Sequence, residues 1–389
     1  MTACVRRRSL VIAALVLAVA GTTAPARRVD GAGKEPIHIG MIVALTGYLT
    51  EIDGPYVDGV KLAVGKINAA GGMDGHEVQL HIVDGASTPT TGVTMTNQLL
   101  NQYRLSAMIN GASSATNQAL VPIIATRKVP VISQGQLPED PSWIFLATAY
   151  YQKDLELQLA FAAKQLGARS IAFLYSQTPY GQLGVKYLPT VAAANGLKVA
   201  LELAVDARST DLSSVMAKVK DAAPDAVVDF LTGSTHIVEA KGAATVGLKV
   251  PIVMGIDATD PVRAGTQAYP NTYFVATPAQ VYPAVADPAL KAACQVFVDA
   301  YTRSGKDPSL IGTAGYGWDA IYMIAKAVDV ARDTSGPAIR AALENLSLQG
   351  SQSLYRFTPA DHTGQVGVPT PLTIAQVQGS TVKPVFTLK

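Results

Sequence analysis

The chain has 389 residues, of which 49% are hydrophobic and 15% are charged, and its 31 basic and 29 acidic side chains give a net charge of +2. This composition is typical of a folded globular protein and excludes bulk disorder. A charge so close to neutral gives no electrostatic basis for binding nucleic acid or an anionic membrane surface.

The first 26 residues have the pattern of an export signal. Arg6, Arg7 and Arg8 precede an uncharged apolar run at 10–21, and Ala24-Pro25-Ala26 fits the small-x-small site of a signal peptidase. The apolar run is shorter than the roughly 20 residues of a permanent membrane-spanning helix. We therefore predict that 1–26 is a signal peptide, with the general and twin-arginine routes both open, and that the mature chain is exported and soluble.

The cysteine count predicts a mature chain without an intrachain disulfide. Cys4 lies in the predicted signal, which leaves Cys294 as the single cysteine of the mature chain. Cys294 lies in an apolar helical stretch, so we interpret it as a core thiol.

The segment from Pro36 to Ser133 alternates β-rich runs with amphipathic helical stretches. The run at 37–44 is nearly all apolar, as expected of a strand buried on both faces. Gly54-Pro55 is predicted to precede the first helix, and Gly71-Gly72 to end it. Further strands are predicted at 78–84, 107–110 and 130–133, and helices at 88–102 and 114–127. A repeated βα unit of this kind forms a parallel sheet with right-handed crossovers.

The same alternation begins again after residue 150. Helices are predicted at 154–166, 180–195, 211–223 and 236–246, and strands at 170–175, 199–205, 225–231 and 252–255. Three more helices at 288–304, 314–332 and 336–346 precede a strand-rich tail, which has its clearest segments at 354–357 and 382–388. The chain therefore belongs to the α/β class, with two doubly wound halves and a hinge in place of a flexible linker.

Motifs for catalysis and cofactor binding are absent from the sequence. There is no GxSxG elbow, no glycine-rich dinucleotide fingerprint after the first strand and no Walker A loop, so we predict that the protein is not an enzyme and has no cofactor. Gly312, Gly315 and Gly317 are interpreted as a turn and a helix start. The five histidines have no i, i+4 spacing and no neighbouring cysteine, which predicts no metal site; they are His38, His76, His81, His236 and His362.

The residues that follow the strands form a polar and aromatic set. In doubly wound sheets, ligands bind at the carboxyl ends of the strands, near free helix N–H groups. In the first half these residues are Tyr48, Ser113, Ser114, Gln134, Gly135 and Gln136, and in the second half Tyr180, Ser234 and Asp257. Ser113 and Ser114 fit helix N-capping and anion binding equally well. Tyr151 and Tyr180 are candidates for an apolar wall, while Asp257 suits an ammonium or a hydroxyl group.

A series of short stretches resembles one known family. They are Leu45-Thr46-Gly47, the segment Ile67-Asn68-Ala69-Ala70-Gly71-Gly72, Asp84 followed by Pro89, Tyr180-Gly181, and the closing segment 357–364. In this order and spacing they resemble the leucine/branched-chain amino-acid-binding family of periplasmic receptors for ABC transporters, over nearly the whole mature chain. The resemblance implies a type I periplasmic binding fold, in which two Rossmann-like lobes are joined by a three-strand hinge and close as a Venus flytrap. It implies a first lobe at 36–147 plus 279–349 and a second at 148–278 plus 350–389.

The resemblance also implies roles for single residues. Ser113 matches the serine that holds a ligand carboxylate, Gly135 a backbone donor, Tyr180 an aromatic wall, and Asp257 the acidic partner of an amino group. Other positions depart from the family pattern: Leu137 replaces a carboxylate-binding Thr, Ser234 or Thr235 an aromatic residue, Ile52 a Tyr, and Ser87 and Ala112 a frequent disulfide.

We therefore expect a monomeric periplasmic solute-binding protein that delivers its ligand to an inner-membrane ABC permease. The expected ligand bears a carboxylate and is an apolar or branched-chain amino acid, or alternatively an aromatic carboxylic acid of the benzoate or cinnamate type. A ligand sensor and a secreted enzyme are the remaining alternatives.

Overall fold

Two β-sheets with helices packed on them organise the computed structural model of the chain. The structure describes residues 34–149, 151–256, 268–365, 367–379 and 381–388. The predicted signal peptide and Asp257 lie outside these ranges. Among the described residues, no helix has both the length and the apolar character needed to cross a membrane.

The first sheet has five strands, all parallel, in the order β2-β1-β3-β4-β5. Its strands are β1 (Lys34–Val43), β2 (His76–Asp84), β3 (Leu105–Asn110), β4 (Val131–Ser133) and β5 (Ile144–Leu146). The helices between them are α1 (Thr50–Ala69), α2 (Pro89–Gln102) and α3 (Ser114–Arg127). Strands β3, β4 and β5 are buried along their whole length, which agrees with their mainly apolar sequences. Helix α1 begins at Thr50 and contains Pro55, so it starts earlier than the sequence predicts.

The second sheet has seven strands in the order β14-β13-β10-β9-β8-β6-β7. Its first five strands are β6 (Ser170–Ser176), β7 (Lys198–Val205), β8 (Ala226–Phe230), β9 (Ile252–Met254) and β10 (Thr272–Ala276). The helices are α4 (Tyr151–Lys164), α5 (Pro179–Ala194), α6 (Ser213–Ala222) and α7 (Thr235–Val246). A small antiparallel pair, β11 (Ser347–Gln349) and β12 (Leu354–Arg356), precedes β13 (Thr373–Gln378) and β14 (Thr381–Phe386). The last two strands join the sheet antiparallel, while the other five are parallel.

Four helices lie between β10 and β11 in the chain, and the longest of them returns to the first sheet. They are α8 (Pro278–Val281), α9 (Pro288–Arg303), α10 (Ile311–Ala331) and α11 (Gly336–Leu343). Helix α10 packs on α1 with very little space between the two backbones. A Cβ atom on Gly59 would lie 1.8 Å from the carbonyl oxygen of Ala314, and one on Gly317 would lie 2.2 Å from that of Tyr56. Gly317 lies inside α10, within the helix predicted at 314–332, and its missing side chain permits close helix packing. The helix begins at Ile311, so Gly312 is helical too and the predicted turn at this position is wrong.

We call the first sheet with α1–α3 and α9–α11 the first lobe, and the second sheet with α4–α7 the second lobe. Two passages of the chain between them meet at Asp319 of α10. Its carboxylate accepts hydrogen bonds from the backbone N–H groups of Ser351 (2.7 Å) and Gln352 (2.9 Å). The hydroxyl of Tyr355 lies 3.2 Å from the same carboxylate and donates to the carbonyl oxygen of Ala147 at 2.8 Å. Burial raises the pKa of Asp319 to about 6. The exact lobe boundaries near residues 147, 278 and 349 stay predictions.

Candidate functional site

The loops after the parallel strands of the two lobes enclose a small cavity of about 30 Å³. It is lined by Tyr48, Leu49, Ala112, Ser113, Ser114 and Ala115 of the first lobe and by Tyr151, Thr178, Pro179, Tyr180 and Thr232 of the second. Five of the predicted site residues are therefore brought together here: Tyr48, Ser113, Ser114, Tyr151 and Tyr180. The volume is about that of one water molecule in the liquid, so an amino-acid-sized ligand requires the lobes to stand further apart.

Ser113 forms the N-cap of α3 and points its hydroxyl group into this region. Its Oγ atom accepts hydrogen bonds from the backbone N–H of Thr116 at 3.2 Å and from the Thr116 hydroxyl at 2.7 Å. Both are accepted bonds, so the hydrogen of the Ser113 hydroxyl remains to donate. The first turn of α3 contains no acidic residue, and its positive dipole end faces the cavity. N-capping and anion binding are thus compatible functions of the same side chain.

The loop after β4 is fixed to α3 behind the cavity. Ser114 Oγ accepts a hydrogen bond from the backbone N–H of Gln136 at 2.9 Å, and the Asn117 amide donates to the carbonyl oxygens of Gly135 (3.0 Å) and Gln136 (2.8 Å). The Gly135 N–H donates to the Gly111 carbonyl at 3.0 Å. Gly135 therefore already has an internal acceptor and does not line the cavity, and its role as a ligand donor stays a prediction.

Asp53 of α1 supports the same wall, although sequence reasoning did not identify it. Its buried carboxylate accepts the backbone N–H of Ala44 at 2.6 Å and that of Ala112 at 2.8 Å. These two bonds join the end of β1 to the residue that precedes Ser113. The signal in the sequence is an acidic residue that stands next to Ile52 among the apolar residues that α1 buries. A carboxylate among apolar neighbours is expected to be buried, and a buried carboxylate is expected to accept hydrogen bonds, for example from backbone N–H groups.

Aromatic rings form the opposite wall. The ring of Tyr180 stacks on Phe230 with centroids 4.7 Å apart and meets Tyr151 edge-on at 4.8 Å. The Tyr180 hydroxyl donates to Asp154 at 3.3 Å, and the Tyr151 hydroxyl donates to the carbonyl oxygen of Gln134 at 3.0 Å. Since Gln134 follows β4, the Tyr151 bond reaches from the second lobe to the first. Both phenol oxygens are held by protein groups, which fixes the ring orientations.

The remaining predicted residues lie around this centre. The side-chain oxygens of Gln134 and Gln136 are buried and accept no hydrogen bond from the part of the chain that the structure describes. Burial raises the pKa of Tyr48 above its ordinary value, and the positive charge of Arg208 opposes this effect. Ser234 precedes α7 without capping it and does not line the cavity, although its neighbour Thr232 does.

Gly233 brings the two lobes into direct backbone contact. It has a positive φ of 62°, and a Cβ atom at this position would lie 2.9 Å from the carbonyl oxygen of Tyr48. The loop after β8 therefore lies so close to the loop after β1 that a side chain at residue 233 would not fit.

The whole described fold is similar to known binding proteins. The sequence model of a family described as periplasmic binding protein matches residues 36–381. "Leu/Ile/Val-binding protein homolog 7" of Brucella abortus is 20% identical over 335 residues, which cover 82% of this chain and 84% of that protein. "Leu/Ile/Val-binding protein homolog 2" of the same organism is 26% identical over 205 residues, covering 51% and 54%.

Solved structures give the same result for the fold. The branched-chain amino acid transporter substrate binding protein LivJ from Streptococcus pneumoniae, in complex with isoleucine, has a TM-score of 0.76 at 22% identity and covers 90% of this chain and 100% of its own. An ABC transporter solute binding protein from Rhodopseudomonas palustris, in complex with 4-hydroxybenzoate, has a TM-score of 0.78 at 16% identity, covering 91% and 97%. The predicted two-lobed α/β fold is thereby confirmed. These similar proteins are solute-binding proteins and not enzymes.

Proposed function

The chain belongs to the periplasmic binding protein family, and on this premise we propose that it binds one small carboxylate-bearing solute between its lobes and delivers it to an inner-membrane ABC permease. The observation that carries this proposal is the cavity lined by both lobes, with the N-terminus of α3 on one side and the rings of Tyr151 and Tyr180 on the other. One wall offers hydrogen-bond donors, and the other offers apolar surface. The proposed location is the periplasm, reached through the signal at 1–26.

The carboxylate is proposed to bind at Ser113. The free hydrogen of its hydroxyl and the N-terminal end of α3 both favour a negative charge, and a helix N-terminus is a common anion site in proteins. The bonds that Asp53 accepts from Ala112 and that Ser114 accepts from Gln136 hold the surrounding backbone in place. The donors are therefore oriented before the ligand arrives, which reduces the entropy lost on binding.

Binding is proposed to require opening and closing of the lobes. The cavity of about 30 Å³ is too small for an amino acid, so the ligand must enter a more open form and then be enclosed. A ligand shifts this equilibrium only by its difference in affinity for the two forms, and a few kcal/mol suffices. The Asp319–Tyr355–Ala147 contacts, which link two of the chain's passages between the lobes, are suited to act as the hinge.

An amino acid with an apolar side chain is our first proposal for the ligand. Asp257 is proposed to meet its ammonium group, and the unpartnered side-chain oxygens of Gln134 and Gln136 are further acceptors. The two tyrosine rings then enclose the side chain. This assignment agrees with the isoleucine named for the similar LivJ structure.

An aromatic carboxylic acid is the second candidate. The face-to-face and edge contacts among Tyr180, Phe230 and Tyr151 form a surface on which a further ring packs well. A ring hydroxyl would then take the place of the ammonium group at Asp257 or a glutamine. The 4-hydroxybenzoate named for a structural neighbour has this chemistry.

A thermal-shift screen of the mature chain tests the proposal, with apolar L-amino acids in one set and hydroxybenzoates and cinnamates in the other. A true ligand raises the melting temperature as its concentration increases, because it binds only the folded state. Titration calorimetry then gives affinity and stoichiometry. Asp257→Asn should weaken an amino-acid ligand strongly and an aromatic acid little. Absence of saturable heat with every compound, or conversion of a compound into product, would contradict a transport receptor.

A further inference from the structure

Three buried titratable side chains meet in the second lobe, behind the loop that follows β8. Asp229 lies near the end of β8, and His236 and Glu239 lie in the first turns of α7. All three are fully buried, with 0% of each side chain exposed. One nitrogen or oxygen atom from each lies within 4.8 Å of the corresponding atoms of the other two. The cleft function uses none of them.

The hydrogen bonds of this cluster leave one nitrogen atom unpartnered. Asp229 Oδ1 accepts the backbone N–H of Gly255 at 3.0 Å, and Oδ2 lies 3.1 Å from His236 Nδ1. The Glu239 carboxyl group has the Asp229 carboxylate as its neighbour, and within the described residues His236 Nε2 has no hydrogen-bond partner. Buried polar atoms normally have partners, because water is no longer available to replace them. An unpartnered nitrogen beside two adjacent carboxyl groups therefore indicates a missing ligand.

The charge of the cluster points to a cation. Asp229 and Glu239 bring two carboxyl groups together in the protein interior. One divalent ion would neutralise both carboxylates and give His236 Nε2 a partner. Two carboxylate oxygens with one imidazole nitrogen are zinc-ligand chemistry, and tetrahedral zinc separates its ligand atoms by about 3.3 Å.

We propose that Asp229, His236 and Glu239 form a binding site for one divalent transition-metal ion, of which zinc fits best. The site joins β8 to α7, and Asp229 also holds Gly255, so the ion fixes the backbone on both sides of the cleft loop at 231–234. This site is independent of the solute-binding proposal. Inspection of the sequence misses it because His236 and Glu239 are three residues apart on a helix and the third ligand comes from a strand.

Metal retention by the untagged mature protein tests the site directly. The protein is stripped with a chelator, incubated with zinc chloride, desalted and analysed for zinc by mass spectrometry. We expect about one zinc per chain, a melting temperature raised by zinc, and tetrahedral cobalt absorption bands when cobalt replaces zinc. Glu239→Gln keeps the shape of the side chain and should weaken zinc binding at least about 100-fold, since it removes a direct ligand.

A second histidine pair provides the control. His38 Nδ1 and His81 Nε2 lie 2.9 Å apart on β1 and β2 and are only partly buried, so they are a second place where added zinc would bind. A His38→Asn/His81→Asn variant should retain its zinc. Loss of zinc from this variant alone, equal retention by wild type and Glu239→Gln, or no retention by the folded wild type would each overturn the proposal. In the last case, a Glu239→Gln variant that melts above wild type would show that the carboxylates share a proton instead.

Discussion

The two walls of the cleft are formed by different chemical groups. The first-lobe wall has small residues and backbone around Ser113, held from behind by Asp53 and Asn117, beside the larger Tyr48 and Leu49. The second-lobe wall consists of large rings, with Tyr180 stacked on Phe230. Backbone groups supply fixed donors for the carboxylate, which all candidate ligands share. The aromatic rings contact the remainder of the ligand, in which the candidates differ. Changes in the first wall should therefore lower affinity for every ligand, and changes in the second should alter the order of preference.

Asp53→Ala breaks the support of the first wall and should have the largest effect. It leaves the buried N–H groups of Ala44 and Ala112 without an acceptor, at about 1–3 kcal/mol each, so we expect a loss of about 4 kcal/mol in the free energy of unfolding. Urea denaturation measures this loss. Lys61→Ala, an exposed change on the same helix, is the control. Equal stability of the two variants would show that Asp53 does not hold the wall.

Asp319→Asn tests whether the proposed hinge affects stability without affecting the ligand preference that the two walls determine. The folded-state pKa of Asp319, about 6, lies above the ordinary value of 3.8 for an aspartate, so the folded protein binds the proton more tightly than the unfolded chain. Protonation of Asp319 therefore stabilises the folded state. This stabilisation is fully present below about pH 4 and is lost as the pH rises through 6, and the free energy of unfolding falls by about 3 kcal/mol across this range.

The measurement is the unfolding free energy of wild type and Asp319→Asn between pH 4 and 7. The difference between the two proteins should change by this amount across the window, while the ranking of ligands stays the same. A constant difference across the window would exclude an elevated pKa, and a changed ranking would place Asp319 in the ligand site.

Ser113→Ala should weaken binding of every carboxylate ligand by about 1–2 kcal/mol, the cost of a lost hydrogen bond to a charged group. It should also lower stability by about 1 kcal/mol, because the cap of α3 is lost. Asp287→Ala removes a comparable cap from α9, where Asp287 accepts the Leu290 N–H at 2.7 Å. Calorimetry should therefore find an unchanged dissociation constant for Asp287→Ala. A similar loss of affinity in both variants would assign Ser113 to capping alone.

Tyr180→Leu tests whether the second-lobe wall determines ligand preference, and its expected effect is the smallest of the four. It keeps apolar volume but removes the ring contacts with Phe230 and Tyr151, so an aromatic ligand should lose about 1 kcal/mol relative to an aliphatic one. Competition between one ligand of each kind gives this ratio directly. Tyr180→Phe is the control, since it keeps the ring and should leave the ratio unchanged. A ratio that is the same in all three proteins would mean that this ring does not contribute to selectivity.

Much of the fold is predictable from the sequence because buried strands appear as apolar runs. Strands such as β1 and β6 are found within a few residues of their predicted ends. The short strand β5, Ile144–Leu146, is missed because three apolar residues carry no period, and β10 at Thr272–Ala276 is also missed. Gly317 lies in a predicted helix, but the sequence does not reveal that α1 crosses α10 at that point.

The site is predictable to the extent that topology determines it. Tyr48, Ser113 and Tyr180 follow strands in sequence, and parallel sheets bring such positions to one edge. Asp53 lies on a helix and meets its partners only in three dimensions. The hydrogen bond of the Gly135 N–H is equally hidden in the sequence, because its acceptor, the carbonyl oxygen of Gly111, lies in a different loop.

The close approach of Gly233 to Tyr48 makes one position decisive for the spacing of the two halves. A Cβ atom at residue 233 would lie 2.9 Å from the Tyr48 carbonyl oxygen, so a larger residue there would push the loops after β1 and β8 apart. The width of the gap between the halves, and with it the size of the cargo that fits, therefore depends on a single missing methyl group.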